Sequence, residues 1–170
     1  MAKTVTDYQN HVQETVKAFD EGRVLLVSCE REGLPNVMAI GWGTMGIIWR
    51  RPIFMVLVRP SRYTYKLIEE TGEFTVNIVP PKLKEVVQYC GTVSGRDHDK
   101  FKEKDLTPLA SKTVKTPIIK ECILHLECQV VNKNDLVPSE LKNSFVPELY
   151  PKGDFHRLYF GEILACQRES

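Results

Sequence analysis

The sequence predicts a mainly β domain, an antiparallel β-barrel with added helices, on three observations. Short apolar runs recur at Arg23 to Cys29, Asn36 to Ile40, Gly46 to Trp49, Ile53 to Val58 and Phe74 to Val79, punctuated by Gly33, Gly43 and Pro52. They follow one another too closely for a crossover helix between every pair, which favours antiparallel neighbours. Further on, Cys122, Leu124, Leu126, Cys128 and Val130 alternate with Ile123, His125, Glu127 and Gln129, the period-two pattern of a strand with one apolar face.

The elements follow in order. Tyr8, Val12, Val16 and Phe19 recur at helical spacing, with Thr6 and Asp7 as caps and Gly22 as a stop, so the chain opens on an amphipathic helix. Two helices interrupt the strands. One runs from near Ser61 to Gly72, and the other carries Leu83, Val86, Val87 and Cys90 on one face and stops at Gly91. Leu158, Phe160, Leu164 and Cys166 mark a final strand pair or one long strand around Gly161. Between these strands, residues Asn132 to Asp154 hold Pro138, Pro147 and Pro151 and read as an excursion outside the core, either functional or lying across a partner subunit. The 170 residues suit a single domain over 1–170, with a core of about 22–166 and the 132–154 excursion.

Charge narrows the function. With 23 basic and 22 acidic side chains the net charge is +1, which disfavours nucleic acid and membrane surfaces as partners. Apolar runs such as Val24 to Val27 and Ile53 to Val58 fall far short of the roughly 20 residues that span a bilayer. No secretion signal follows Met1, so a soluble, cytoplasmic protein is expected. The five cysteines, Cys29, Cys90, Cys122, Cys128 and Cys166, include no CxxC pair and mostly lie inside apolar patterns, as reduced thiols do. Only Cys90, at the edge of a polar loop, is placed for chemistry, and buried packing is its competing explanation. His125 and Glu127 make a two-ligand fragment, while His11, His98 and His156 stand in unrelated contexts, so no metal site is expected. There is no GxSxG elbow, Walker loop or GxGxxG fingerprint.

Three segments remain. Arg59-Pro60-Ser61-Arg62-Tyr63-Thr64 joins an apolar strand to a helix, where unpaired backbone amides, two guanidiniums and the two aliphatic hydroxyls of Ser61 and Thr64 suit a phosphate. Ser61 as a simple N-cap beside solvated arginines explains the same residues equally well. Ser94-Gly95-Arg96-Asp97-His98-Asp99-Lys100-Phe101 offers further phosphate donors from Ser94, Arg96 and Lys100, or is merely a loop entering a solvated helical turn. Asn36 to Met45 interleaves small and large apolar residues and can lay backbone amides along a flat heteroaromatic ring; a β-bulge with core side chains is the alternative.

Taken in order, these segments resemble the flavin reductase-like family, in particular its flavoredoxin and ferric-reductase-type branch. The matching residues run from Asn36-Val37-Met38 and Trp42 through Pro52 and Arg59 to Thr64. They continue in Gly72 to Asn77, Cys90 to Asp97 and Asp99-Lys100-Phe101, so that the likeness spans about Gly22 to Gly161. The 132–154 segment matches no fixed pattern. The resemblance implies an FMN-binding split barrel of antiparallel Greek-key type, a homodimer, and one FMN per subunit. Met38, Ala39, Ile40, Gly41, Trp42 and Thr44 would line the ring and ribityl chain, while Ser61, Arg62 and Thr64, with Arg59 alongside, would hold the phosphate. Asn77 and Cys90 would approach the flavin, and Ser94, Arg96 and Lys100 would complete the anionic pocket. The implied activity is an oxidoreductase passing electrons from NAD(P)H through flavin to free flavin, ferric complexes or another acceptor. A flavoredoxin-type electron carrier that takes electrons from a protein partner and barely uses NAD(P)H is the alternative. No catalytic acid or nucleophile is assigned, because the flavin itself carries such chemistry.

Overall fold

The computed structural model describes residues 3–30, 32–142 and 146–169. One antiparallel sheet organises it, in the order β3-β2-β6-β9-β10-β5-β4, with β1 on the far half of β10. The strands are β1 (Lys3–Val5), β2 (Val24–Cys29), β3 (Pro35–Ala39), β4 (Gly43–Ile48), β5 (Arg51–Val58), β6 (Glu73–Ile78), β9 (Leu124–Asp135) and β10 (Arg157–Glu169). A small ribbon of β7 (Pro108–Leu109) and β8 (Ile118–Ile119) stands apart. The predicted fold class holds, since a mostly β, antiparallel sheet carries the helices α1 (Val12–Asp20), α2 (Tyr63–Thr71), α3 (Lys84–Thr92), α4 (Lys100–Glu103) and α5 (Val146–Leu149).

The barrel does not close by hydrogen bonding, which corrects the simple barrel picture. Strands β3 and β4 are the two edges of the sheet, yet only Ile40, Gly41 and Trp42 separate them in the chain. Four Cα steps reach at most roughly 15 Å, so the sheet must curl until its edges nearly meet at that end. Helix α1 supplies core there: Phe19 stacks on Phe54 with ring centroids 6.1 Å apart, and Ala18 is wholly buried.

Alternation along β2 builds two cores. Val24 and Leu26 join Phe54, Phe74, Val76 and Tyr159 inside the curled sheet, whereas Leu25 and Val27 face Val37, Val87, Cys90 and Phe101 beneath α3 and α4. Because both faces of β2 are covered, all six of its residues are buried. The same holds for much of β9. His125 and Glu127 were expected on a polar face, but the segment before and including β8 covers them. The Glu127 carboxylate accepts from the Lys112 and Thr113 amides at 3.0 and 2.7 Å, and Asn77 Oδ1 accepts from the Ile119 amide at 3.0 Å.

Several boundaries move, each for a local reason. Helix α2 starts at Tyr63, with Arg62 in extended backbone (ψ 140) before it, so Ser61 is not its cap; Gly72 ends it in the left-handed region at φ 68. Helix α3 runs through Gly91 to Thr92, because Gly91 keeps a negative φ and does not turn the chain into the left-handed region as Gly72 does. The excursion begins later than expected, since residues 132–135 extend β9 and pair with Arg157 to Phe160. The final element is one long strand, bent by register shifts at Phe160/Gly161 and Ile163/Ala165.

At the first of these shifts Gly161 leaves no room for a side chain, as a Cβ there would lie 2.8 Å from both Cys128 Cβ and Phe74 Cε1. Gly161→Ala is therefore expected to destabilise the fold by about 1–3 kcal/mol through overpacking, read as a lower midpoint in urea denaturation.

Candidate functional site

Where the two sheet edges converge lies a cavity of about 350 Å³, within the usual range for small-ligand sites. Its long wall is backbone and side chains of Met38 to Trp42, the bridge between β3 and β4. Opposite stand Arg59 and the head of α2, Ser61 to Thr64. The end of α3 from Cys90 to Thr92, the loop Val93 to Arg96, Lys100 and His156 close the remainder.

One end is built for an anion. The Tyr63 and Thr64 amides at the head of α2 have no acceptor among the described residues, as expected of a first helical turn. The Arg62 guanidinium likewise has no hydrogen-bond or ion-pair partner there. Lys100 is 95% buried and donates from Nζ to the carbonyls of Val37 at 2.9 Å and Cys90 at 2.8 Å, which leaves its third hydrogen free. Burial, and to a lesser degree the nearby Arg62 cation, lowers the Lys100 pKa. Two cations thus face the same space without a counter-ion. Asn36 Nδ2 donates to Thr64 Oγ1 at 2.7 Å and fixes that hydroxyl, while Arg96 lies over the Tyr63 ring and donates to the Ser61 carbonyl at 3.1 Å. Gly95 permits this crowding, since a Cβ there would fall 2.9 Å from Asn36 Cγ.

The other end is aromatic. Trp42 packs on His156 with ring centroids 4.7 Å apart, and Tyr150 Oη lies 2.6 Å from His156 Nδ1. Arg59 holds this segment down by donating to the carbonyls of Leu149 at 2.9 Å and Asp154 at 3.1 Å, with its guanidinium 4.8 Å above the Tyr150 ring. The register of β10 against β5 sets these neighbours: Arg157 pairs with Val58, so the residues preceding one lie beside those following the other.

Burial, aided by Arg59, pulls the His156 pKa down to about 4. Its imidazole is therefore neutral near pH 7, and with Nδ1 facing the tyrosine hydroxyl its Nε2 is the nitrogen left to bond elsewhere. Burial raises the Cys90 thiol pKa, against the opposing pull of Lys100, so Cys90 stays protonated and is no nucleophile.

A family model described as flavin reductase like domain matches residues 21–170. The chain belongs to the flavin reductase-like domain family. Its fold superposes on a flavoredoxin from Methanosarcina acetivorans with a TM-score of 0.69 at 31% identity, covering 88% of this chain and 69% of that one. Flavoredoxin of Desulfovibrio vulgaris (Miyazaki F) shares the fold with a TM-score of 0.71 at 24% identity, covering 87% and 69%. An uncharacterized protein of Archaeoglobus fulgidus is 37% identical over 130 residues, which are 76% of this chain and 63% of that protein. An uncharacterized protein of Pyrococcus abyssi is 31% identical over 131 residues, 76% of this chain and 64% of it. The chain thus spans a little under two thirds of the length of these relatives.

Within this flavin reductase-like chain the cavity gathers Met38, Ala39, Ile40, Gly41, Trp42, Arg59, Ser61, Arg62, Thr64, Cys90, Ser94, Arg96 and Lys100. Two expected residues fall elsewhere. Asn77 is wholly buried on the outer face of β6, where its Oδ1 binds His125 Nδ1 at 2.8 Å, so it serves the packing of β8 and not the cavity. Thr44 is exposed on edge strand β4, outside the cavity wall. Arg59 and Ser61 line the cavity, but their polar groups are taken by the 149–154 segment. Residues the sequence did not single out for the site include Leu57 and His156. Nothing local marks His156; only the pairing of β10 with β5 brings it in.

A sharp consequence concerns acid. His156 titrates at about 4 and His125, buried beside Lys3, at about 3, both below the ordinary 6.5, so the unfolded chain binds the extra protons. Stability is expected to be full above about pH 6.5 and to fall as the pH drops from there toward 4. Urea midpoints at pH 7 and pH 5 check this, and the NMR signals of both imidazoles should show them still neutral at pH 5.5.

Proposed function

We propose that this chain binds FMN in the cavity between the sheet edges and acts as an oxidoreductase through it. The observation that carries this reading is the anion end: two unclaimed amides, the Arg62 guanidinium and the third hydrogen of buried Lys100 stand at one cavity that the Met38 to Trp42 backbone also lines. That donor set suits a dianionic phosphate ester, since helix-head amides and two cations neutralise it together. The peptide wall from Met38 to Trp42 offers N–H and C=O groups along an edge, as a flavin's polar rim requires. When bound, the flavin would accept a hydride or single electrons and pass them on. The protein's own residues bind, orient and shield it; Lys100 and Arg62 anchor its tail, Thr64 is oriented by Asn36, and the neutral His156 offers its second ring nitrogen for a hydrogen bond without adding charge. Neither a protein nucleophile nor a protein general acid is needed.

The donor and acceptor divide two forms of this reading. As a reductase it takes electrons from NAD(P)H and gives them to free flavin, ferric complexes or another acceptor. The resemblance at 31% identity to a protein named flavoredoxin favours a second form, a carrier that exchanges electrons with a protein partner. Anaerobic mixing with NADH or NADPH separates them, since bleaching of the flavin band within minutes marks the reductase and a persistent band marks the carrier.

A homodimer is part of the proposal. Edge strand β4 leaves Ile47 61% exposed, and Trp49 just beyond it is 57% exposed, an apolar strip that a second copy would cover. Sedimentation at micromolar concentration should show two chains. No helix among the described residues is long and apolar enough to cross a membrane, and five buried free thiols suit a reducing compartment such as the cytoplasm.

Arg62→Ala should weaken FMN binding by about 1.5–3 kcal/mol while leaving riboflavin, which lacks the phosphate, nearly unaffected. Fluorescence titration of both flavins checks this, and an unchanged FMN constant would remove Arg62 from the site.

A further inference from the structure

The donors at the head of α2 are not all free. Asp154 sits on Ser61: its Oδ2 accepts from Ser61 Oγ at 2.6 Å and its Oδ1 from the Ser61 amide at 3.2 Å. This is the backbone amide and hydroxyl pair that an anion approaching Tyr63 and Thr64 would also meet. The chain goes to some length to present this carboxylate. Gly153 and Asp154 are consecutive residues in the left-handed region, at φ 73 and φ 55, and the second is not glycine. Arg59 then fixes the Asp154 carbonyl, and with it the segment bearing Tyr150 and His156.

We propose that Asp154 is an intramolecular stand-in for the ligand's phosphate, a specificity-determining residue that an incoming phosphate must displace from Ser61. The inference rests on the flavin-phosphate reading of this cavity. A tethered carboxylate competes at high effective concentration, yet it carries one charge and its bonds are confined to Ser61. A phosphate brings more charge and can reach the free amides, Arg62 and Lys100 as well, so it wins the exchange. Two anions cannot share the spot, because like charges a few ångströms apart repel. A ligand without phosphate leaves Asp154 in place. Arg59 still holds the segment that packs His156 against Trp42 by its two carbonyls, so the exchange leaves the aromatic wall at the other end in place.

The test compares the unaltered chain with Asp154→Asn and Asp154→Gly. Both replacements tolerate a left-handed backbone, so folding is retained in at least one; Asn keeps a hydrogen bond and loses the charge, while Gly removes both. The first measurement is the thermal midpoint with inorganic phosphate as the probe. Phosphate should raise the midpoint of both variants more than that of the unaltered chain, and equal shifts in all three would overturn the proposal. The second is flavin titration. Both variants should bind FMN at least fivefold tighter with riboflavin unchanged; unchanged or weaker FMN binding, or an equal gain for riboflavin, would overturn it. Should no flavin bind to any of the three, the cofactor reading falls, and the phosphate measurement still decides the role of Asp154.

Discussion

A three-residue bridge governs this molecule. Ile40, Gly41 and Trp42 join the two edge strands of an otherwise open antiparallel sheet, so the sheet must curl until β3 and β4 almost touch. Antiparallel pairing alone does not demand this, since an eight-stranded sheet can stay open and merely twist. The short connection forces the curl, and apolar side chains from β2, β5, β6, β9 and α1 fill the interior it creates. Because the edges meet without pairing, the Gly41 and Trp42 amides and the Ile40 and Gly41 carbonyls have no backbone partner among the described residues, while the Ile40 amide and the Trp42 carbonyl are taken by Val24 and Leu57.

The site is then an intersection of elements that are distant in sequence. Strand β5 delivers the head of α2, while α3 and α4, seated on the outward face of β2 and β3, deliver Cys90 and Lys100. Strand β10, in register with β5, lays Tyr150 to His156 along the remaining side. Lys100 shows how the electrostatics follow from packing: it lies under the second apolar core, its charge is held by two carbonyls, and the Arg62 cation is near enough to oppose it. Such a pair costs stability in an isolated chain and is relieved by an anion.

Much of this was legible in the residues, and what was not has a physical reason. Period-two and period-3.6 patterns placed the strands and helices, because burial on one face imposes them directly. The place of Arg62 and Thr64 in the cavity wall was legible because a strand followed by a helix start has free amides whatever the rest of the fold does. Asn77 was misplaced: it carries the right chemistry on a strand next to the site, but its side chain points to the outer face, where Ile119 and His125 claim it. The buried polar face of β9 went unseen for a similar reason, since Glu127 is satisfied by backbone amides of residues Lys112 and Thr113 and no local pattern announces such a partner. His156 and Asp154 depend on the register of β10 against β5, a long-range pairing that periodicity does not encode.

The central claim is that the space between the sheet edges is a flavin site whose phosphate end is the head of α2. Its most direct measurement is the visible absorption spectrum of the protein after incubation with FMN and removal of unbound flavin by gel filtration. The account predicts a retained yellow chromophore at one flavin per chain, with its band shifted from that of free FMN. A colourless protein after that treatment, with all flavin in the unbound fraction, would contradict it.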